Sequence, residues 1–97
     1  METINLGLQI IPKSKTQESY DLVEKAIEVI QESGVKYEVT PFETVMEGPQ
    51  EKLMEVALYA QQAVFNGGAD EVLIFYRIHA RKDSGVSMEE KTEKYRV

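Results

Sequence analysis

Apolar and polar side chains alternate over residues 3–11: Ile4, Leu6, Leu8 and Ile10 fall on one side, Thr3, Asn5, Gly7 and Gln9 on the other. A period of two predicts a strand with one face in a core. Pro12 is expected to end it, because proline brings no N–H to a ladder. Residues 13–16 then form a loop, with Ser14 or Thr16 as the candidate N-cap of a helix. Over residues 17–33 the period lengthens to that of a helix. Tyr20, Val23, Ile27 and Ile30 make its apolar stripe, and Ala26 fills between them. Ser33-Gly34 closes this helix, since glycine turns left-handed without strain.

Alternation returns at Val35, Tyr37 and Val39, a second strand that breaks at Thr40-Pro41. A third strand is expected over residues 42–47. Gly48-Pro49 then turns the chain into a second helix over residues 50–65, because proline suits a first helical position. Leu53, Val56, Ala57, Ala60 and Val64 form its stripe, widened by Met54, Leu58 and Phe65, and Asn66-Gly67-Gly68 stops it. The fourth strand, over residues 71–79, is different. Val72, Ile74, Tyr76 and Ile78 face one way, yet Leu73 and Phe75 on the other side are also apolar. A strand apolar on both faces is usually covered on both, so a partner subunit is expected over Leu73 and Phe75. After a polar loop over residues 80–86, Ser87-Met88-Glu89-Glu90 reads as a capping box that opens a short, charged helix over residues 87–96.

The order strand, helix, strand, strand, helix, strand predicts an α+β, ferredoxin-like βαββαβ sandwich. Its four-stranded antiparallel sheet carries both long helices on one face, with a short C-terminal helix added. At 97 residues this is one domain with a small core, which burial at a subunit interface would enlarge.

Composition narrows the function. There is no cysteine, so neither disulfides nor thiolate metal sites are available. No apolar run nears the roughly 20 residues needed to span a bilayer, and no signal peptide is visible, so a cytoplasmic location and no membrane insertion are expected. The net charge of −6 argues against nucleic acid, whose binding rests on phosphate neutralisation. It suits a cationic small ligand, and it equally serves solubility. No nucleophile, base and acid set is visible, and the single histidine, His79, has no fixed partner, so no enzyme activity and no cofactor are expected.

The polar candidates cluster around the second and third strands. Thr44 and Glu47 stand three residues apart, which places them on opposite faces of a regular strand; a bulge or an early strand end is required for both to serve one site. Glu47 is either a ligand carboxylate or a cap for the helix starting near Pro49. Thr44 either offers a hydroxyl to a ligand or is an ordinary strand threonine, and Gln9 offers an amide on the first strand's polar side. Tyr37 and Phe75 are stacking candidates or core and interface residues. Arg77 meets either a ligand or a neighbouring chain's carboxylate.

Gly34-Val35-Lys36-Tyr37-Glu38-Val39-Thr40-Pro41, followed by Thr44-Val45-Met46-Glu47-Gly48, resembles the small thiamine-binding domain family of bacteria and archaea, long catalogued as a domain of unknown function. Ser87-Met88-Glu89-Glu90-Lys91, ending in Lys94-Tyr95-Arg96, is similar to that family's C-terminal segment, and Ile10-Ile11-Pro12 fits its opening strand. The resemblance implies a ferredoxin-like domain that assembles as a dimer or tetramer through its sheet. It also implies binding of thiamine or its hydroxymethylpyrimidine moiety, in support of vitamin transport or salvage rather than catalysis, with Gln9, Tyr37, Thr44, Glu47, Phe75 and Arg77 as ligand candidates. The alternative is an oligomeric interaction module, structural or regulatory, without a small-molecule ligand.

Overall fold

The computed structural model describes residues 2–96. Strand β1 (Thr3–Lys13) leads to helix α1 (Ser19–Glu32), then to β2 (Lys36–Val39) and β3 (Thr44–Pro49). Helix α2 (Gln50–Asn66), strand β4 (Glu71–His79) and a short helix α3 (Glu89–Thr92) come next, and a single 3-10 turn at Glu93–Tyr95 comes last. The sheet order is β2-β3-β1-β4, with the neighbouring pairs antiparallel. This is the ferredoxin-like arrangement.

Register assigns every strand residue a face. Leu6 stands opposite Met46 and Ile78, and Leu8 opposite Thr44 and Tyr76, so these side chains share the face beneath the helices. There Ile4, Leu6, Leu8, Met46, Ile30, Leu53, Val56 and Ala57 form the main core. A second cluster, Leu22, Ala26, Ala60 and Val64, joins α1 to α2. The α2 stripe is buried as its spacing predicts, whereas Met54, Leu58 and Phe65 remain exposed.

Several expectations need correction. Pro12 does not end β1. β3 pairs only as far as Leu8, and Lys13 turns its carbonyl toward Asp70 on the β4 side, so the proline nitrogen falls on an edge that asks for no donor. In α1 the buried row is Leu22, Ala26 and Ile30, spaced by four. Tyr20 lies about 120° round the helix from Ala26 at 3.6 residues per turn, and it is 87% exposed. β3 begins at Thr44 rather than Phe42, because Thr40 and Glu43 close a turn on each other and leave Phe42 in solvent. Ser14 precedes α1 instead of capping its first residue: its hydroxyl accepts from the Thr16 and Gln17 amides and donates to Gly68 O. Val86, read as the end of a polar loop, is fully buried. Its amide donates to Thr3 O, at the stretch of β1 that precedes the β4 pairing. Gly34 takes φ 80°, the left-handed value expected after α1.

Candidate functional site

The second face of the sheet carries no long helix. Asn5, Gly7, Gln9 and Ile11 of β1 point there. Register adds Val45 and Glu47 of β3, Lys36 and Glu38 of β2, and Leu73, Phe75, Arg77 and His79 of β4. The C-terminal segment crosses part of this face. Arg81 and Glu90 pair, and the capping box forms as its spacing requires: Ser87 N–H donates to Glu90 Oε1 at 2.9 Å and Glu90 N–H to Ser87 Oγ at 3.1 Å. The Arg81 guanidinium, then the Ser87 amide, lower the Glu90 carboxyl to about 2.

Glu47 ties this segment down. It accepts from the Met88 amide and from Asn5 Nδ2, and Lys36 Nζ stands 3.8 Å from its second oxygen. It makes no cap for α2, whose N-cap is Pro49 without a side-chain bond. Lys36 also pairs with Glu89 at 3.0 Å; Glu89 first, with Glu47, raises its pKa. Arg96 bonds Glu38 at 2.8 Å on the β2 edge. α3 and the turn after it bury no residue, so polar contacts carry the attachment.

Between sheet and segment lies a cleft of about 350 Å³, at the lower end of the size range of small-molecule sites. Asn5, Gly7 and Val45 line its sheet side, Arg77 and His79 one flank, and Met88, Lys91 and Thr92 the opposite side. Glu43 lies across its floor. A Cβ on Gly7 would collide with Glu43 Oε1 and stand 3.0 Å from Cδ, so the bare glycine makes room for this carboxylate. Glu43 is 21% exposed, and Arg77 Nη1 approaches its other oxygen only to 3.5 Å. A smaller hollow of about 260 Å³ continues past that pair toward Gln9 and Phe42.

The six candidates of the sequence therefore separate. Arg77 lines the cleft and the hollow, and Gln9 the hollow alone. Glu47 stands on the same face but is occupied by the C-terminal segment. Phe75 is on this face too, 54% exposed and away from both cavities. Thr44 and Tyr37 point to the helix face: Thr44 is buried, and Tyr37 packs half-buried against the main core. Thr44 and Glu47 do not meet, because β3 runs without a bulge between them. Sequence reasoning missed Asn5, Gly7 and Glu43. The signal was available in β1, where asparagine and glycine, both poor strand residues, recur on one face of an otherwise aliphatic strand. No group of residues suited to hold a metal ion occurs among the described residues, and no helix among them is long and apolar enough to cross a membrane.

Comparison with known proteins places this architecture. Residues 6–96 match the family model described as thiamine-binding protein. A UPF0045 protein of Clostridium perfringens is 42% identical over 96 residues, covering 99% of this chain and 100% of its own. The structure of a Bacillus cereus domain of unknown function superposes with a TM-score of 0.95 at 43% identity, covering 98% of this chain and 91% of that one. A Thermotoga maritima protein, whose name proposes a part in thiamine biosynthesis or salvage, superposes with a TM-score of 0.86 at 28% identity over 97% and 99% of the two chains. A designed ferredoxin-fold protein, 14% identical with a TM-score of 0.56, shares the fold alone. With a single family model spanning nearly the whole sequence and relatives aligned from end to end, this chain belongs to the thiamine-binding protein family.

Proposed function

We propose that this protein binds thiamine or its hydroxymethylpyrimidine moiety, without turning it over, in the cleft between the open sheet face and the C-terminal segment. The observation that carries the reading is Glu43, a partly shielded carboxylate laid over Gly7 with one loose partner. An aminopyrimidine offers amine donors and a thiazolium a positive charge, and a carboxylate in a confined cleft accepts the one or balances the other. Asn5 supplies an amide beside it, although its Nδ2 already donates to Val86 O at 3.3 Å. In this reading Glu47 acts at one remove, holding the segment that covers the ligand. Binding without chemistry suits a part in vitamin transport or salvage, in the cytoplasm.

The reading includes self-assembly. Ile11, Leu73 and Phe75 adjoin on the open face, 37%, 44% and 54% exposed, and a second copy would cover them. Light scattering checks this: a mass of two or four times 11.0 kDa is expected, and a monomer at micromolar concentration overturns it.

The binding test is calorimetric titration of thiamine, then of hydroxymethylpyrimidine, into the wild type and Glu43→Gln. Saturable binding at about micromolar Kd is expected, weakened at least about tenfold in the variant at an unchanged Tm. Silence from both ligands would defeat the proposal, and full affinity in Glu43→Gln would move the ligand elsewhere.

A further inference from the structure

The charge of the cleft runs against the charge of the chain. The whole sequence carries −6, yet three cations, Arg77, Lys91 and Arg96, line the cleft against two carboxylates, Glu38 and Glu43. These charges are not equally available. Glu38 and Arg96 satisfy each other at 2.8 Å. Glu43 and Arg77 meet only at 3.5 Å, which leaves most of the five guanidinium donors of Arg77 without a partner. Lys91 makes no ion pair among the described residues, and neither does His79. Glu47, on the same face, is opposed by Lys36 and bonded to the Met88 amide. One cation therefore stands in excess.

Position reinforces this count. Arg77 and His79 are successive open-face residues of β4, about 7 Å apart at the rise of a strand. They occupy one flank of the cleft, and Lys91 enters from the C-terminal segment. A planar guanidinium, an ammonium and an imidazole N–H around one cavity match a tetrahedral oxyanion, with arginine able to grip two of its oxygens. A neutral alcohol, or a cation held by Glu43 alone, would leave them unanswered.

We infer that the cleft takes its ligand as a phosphate monoester: Glu43 meets the cationic or amine-bearing ring, while Arg77, His79 and Lys91 hold the phosphate. This rests on the vitamin-binding reading of the cleft and narrows it from the vitamin or its pyrimidine alcohol to their phosphorylated forms. A zwitterionic ligand also accounts for the closeness of Arg77 to Glu43, since its two ends would separate and replace that loose pair.

The test is calorimetric titration of four ligands: thiamine, thiamine monophosphate, hydroxymethylpyrimidine and its phosphate monoester. Wild type, Arg77→Gln and Lys91→Gln are compared, all three with circular dichroism to confirm folding; the Arg77 side chain is 79% exposed, so its loss leaves the core intact. At least one ester is expected to bind about tenfold or more tighter than its alcohol in the wild type. The ester-to-alcohol ratio is expected to fall toward one in both variants. Equal affinity for alcohol and ester in the wild type, or a preference that survives both substitutions, overturns this inference and leaves the vitamin-binding reading standing. If none of the four ligands binds, both readings fall.

Discussion

The two faces of β1 are built from alternate residues of one short strand, and they obey different rules. On the helix face Ile4, Leu6 and Leu8 are almost wholly buried and pack into the main apolar core. On the open face Asn5 and Gly7 are also shielded, but by Glu47, Glu43 and the C-terminal segment. Equal burial has opposite meaning on the two sides. One face removes apolar area from water and supports the fold; the other shields polar groups under α3 and its following turn, which bury no residue, and so leaves a cavity. The proposed binding role falls on the face that contributes least to the core.

Substitutions on the two faces should therefore separate stability from binding. Leu6→Ala empties a fully buried position and is expected to cost about 2–5 kcal/mol, read as a large fall in Tm or in denaturation midpoint. A loss below 1 kcal/mol would mean the core can collapse around the gap. Its neighbour behaves oppositely. Gly7→Ala puts a methyl where Glu43 lies, and Glu43 is a flexible side chain able to swing aside. Stability should change by no more than about 1 kcal/mol, and a rise is as acceptable as a fall, since alanine is the better strand residue. Thiamine affinity should drop at least about tenfold. Tm and affinity falling together would erase the distinction between the faces.

A smaller effect is expected at the cover. Glu47→Gln weakens a charge-assisted bond to the Met88 amide and removes the attraction to Lys36, for about 1 kcal/mol. Hydrogen exchange should show the Met88 amide opening faster while those of Leu6 and Leu8 keep their rates; uniform acceleration would show that cover and core are one cooperative unit. The mildest effect is expected from acid. Glu90 sits at about 2 instead of its ordinary 4.5, so in the folded state it binds fewer protons than in the open state between those values. The Arg81–Glu90 contact therefore contributes in full above pH 4.5 and fades as pH falls toward 2. Protection of the Glu90 amide, taken against its intrinsic exchange rate at each pH, should fall across that window in the wild type and change far less in Arg81→Gln.

Much of the fold was legible. The α2 stripe, the bounds of β4, the left-handed Gly34 and the capping box at Ser87 all stem from spacing that operates within a few residues. Some errors were local, as at Tyr20 and in the turn closed by Thr40 and Glu43, and others came where a local rule depended on a distant neighbour. Pro12 survives inside β1 because β3 stops short, and Val86 is buried because β1 begins before β4 reaches it. The candidate cleft was legible only in part. Arg77 could be singled out from its strand, but Glu43 lay inside the expected third strand without drawing notice, and Thr44 faces the helices rather than the cleft.

By itself the sequence determined the elements, their order and the two-sided character of β4, because periodicity is a property of neighbouring residues. Tertiary structure alone decided which open-face residues share a cavity. The contacts that roof it join residues 41 apart at Met88 and Glu47, 53 apart at Lys36 and Glu89, and 58 apart at Arg96 and Glu38. No local pattern encodes such separations. They arise when antiparallel register sets Glu47 beside Asn5, and the path through buried Val86 carries the last residues back across the sheet.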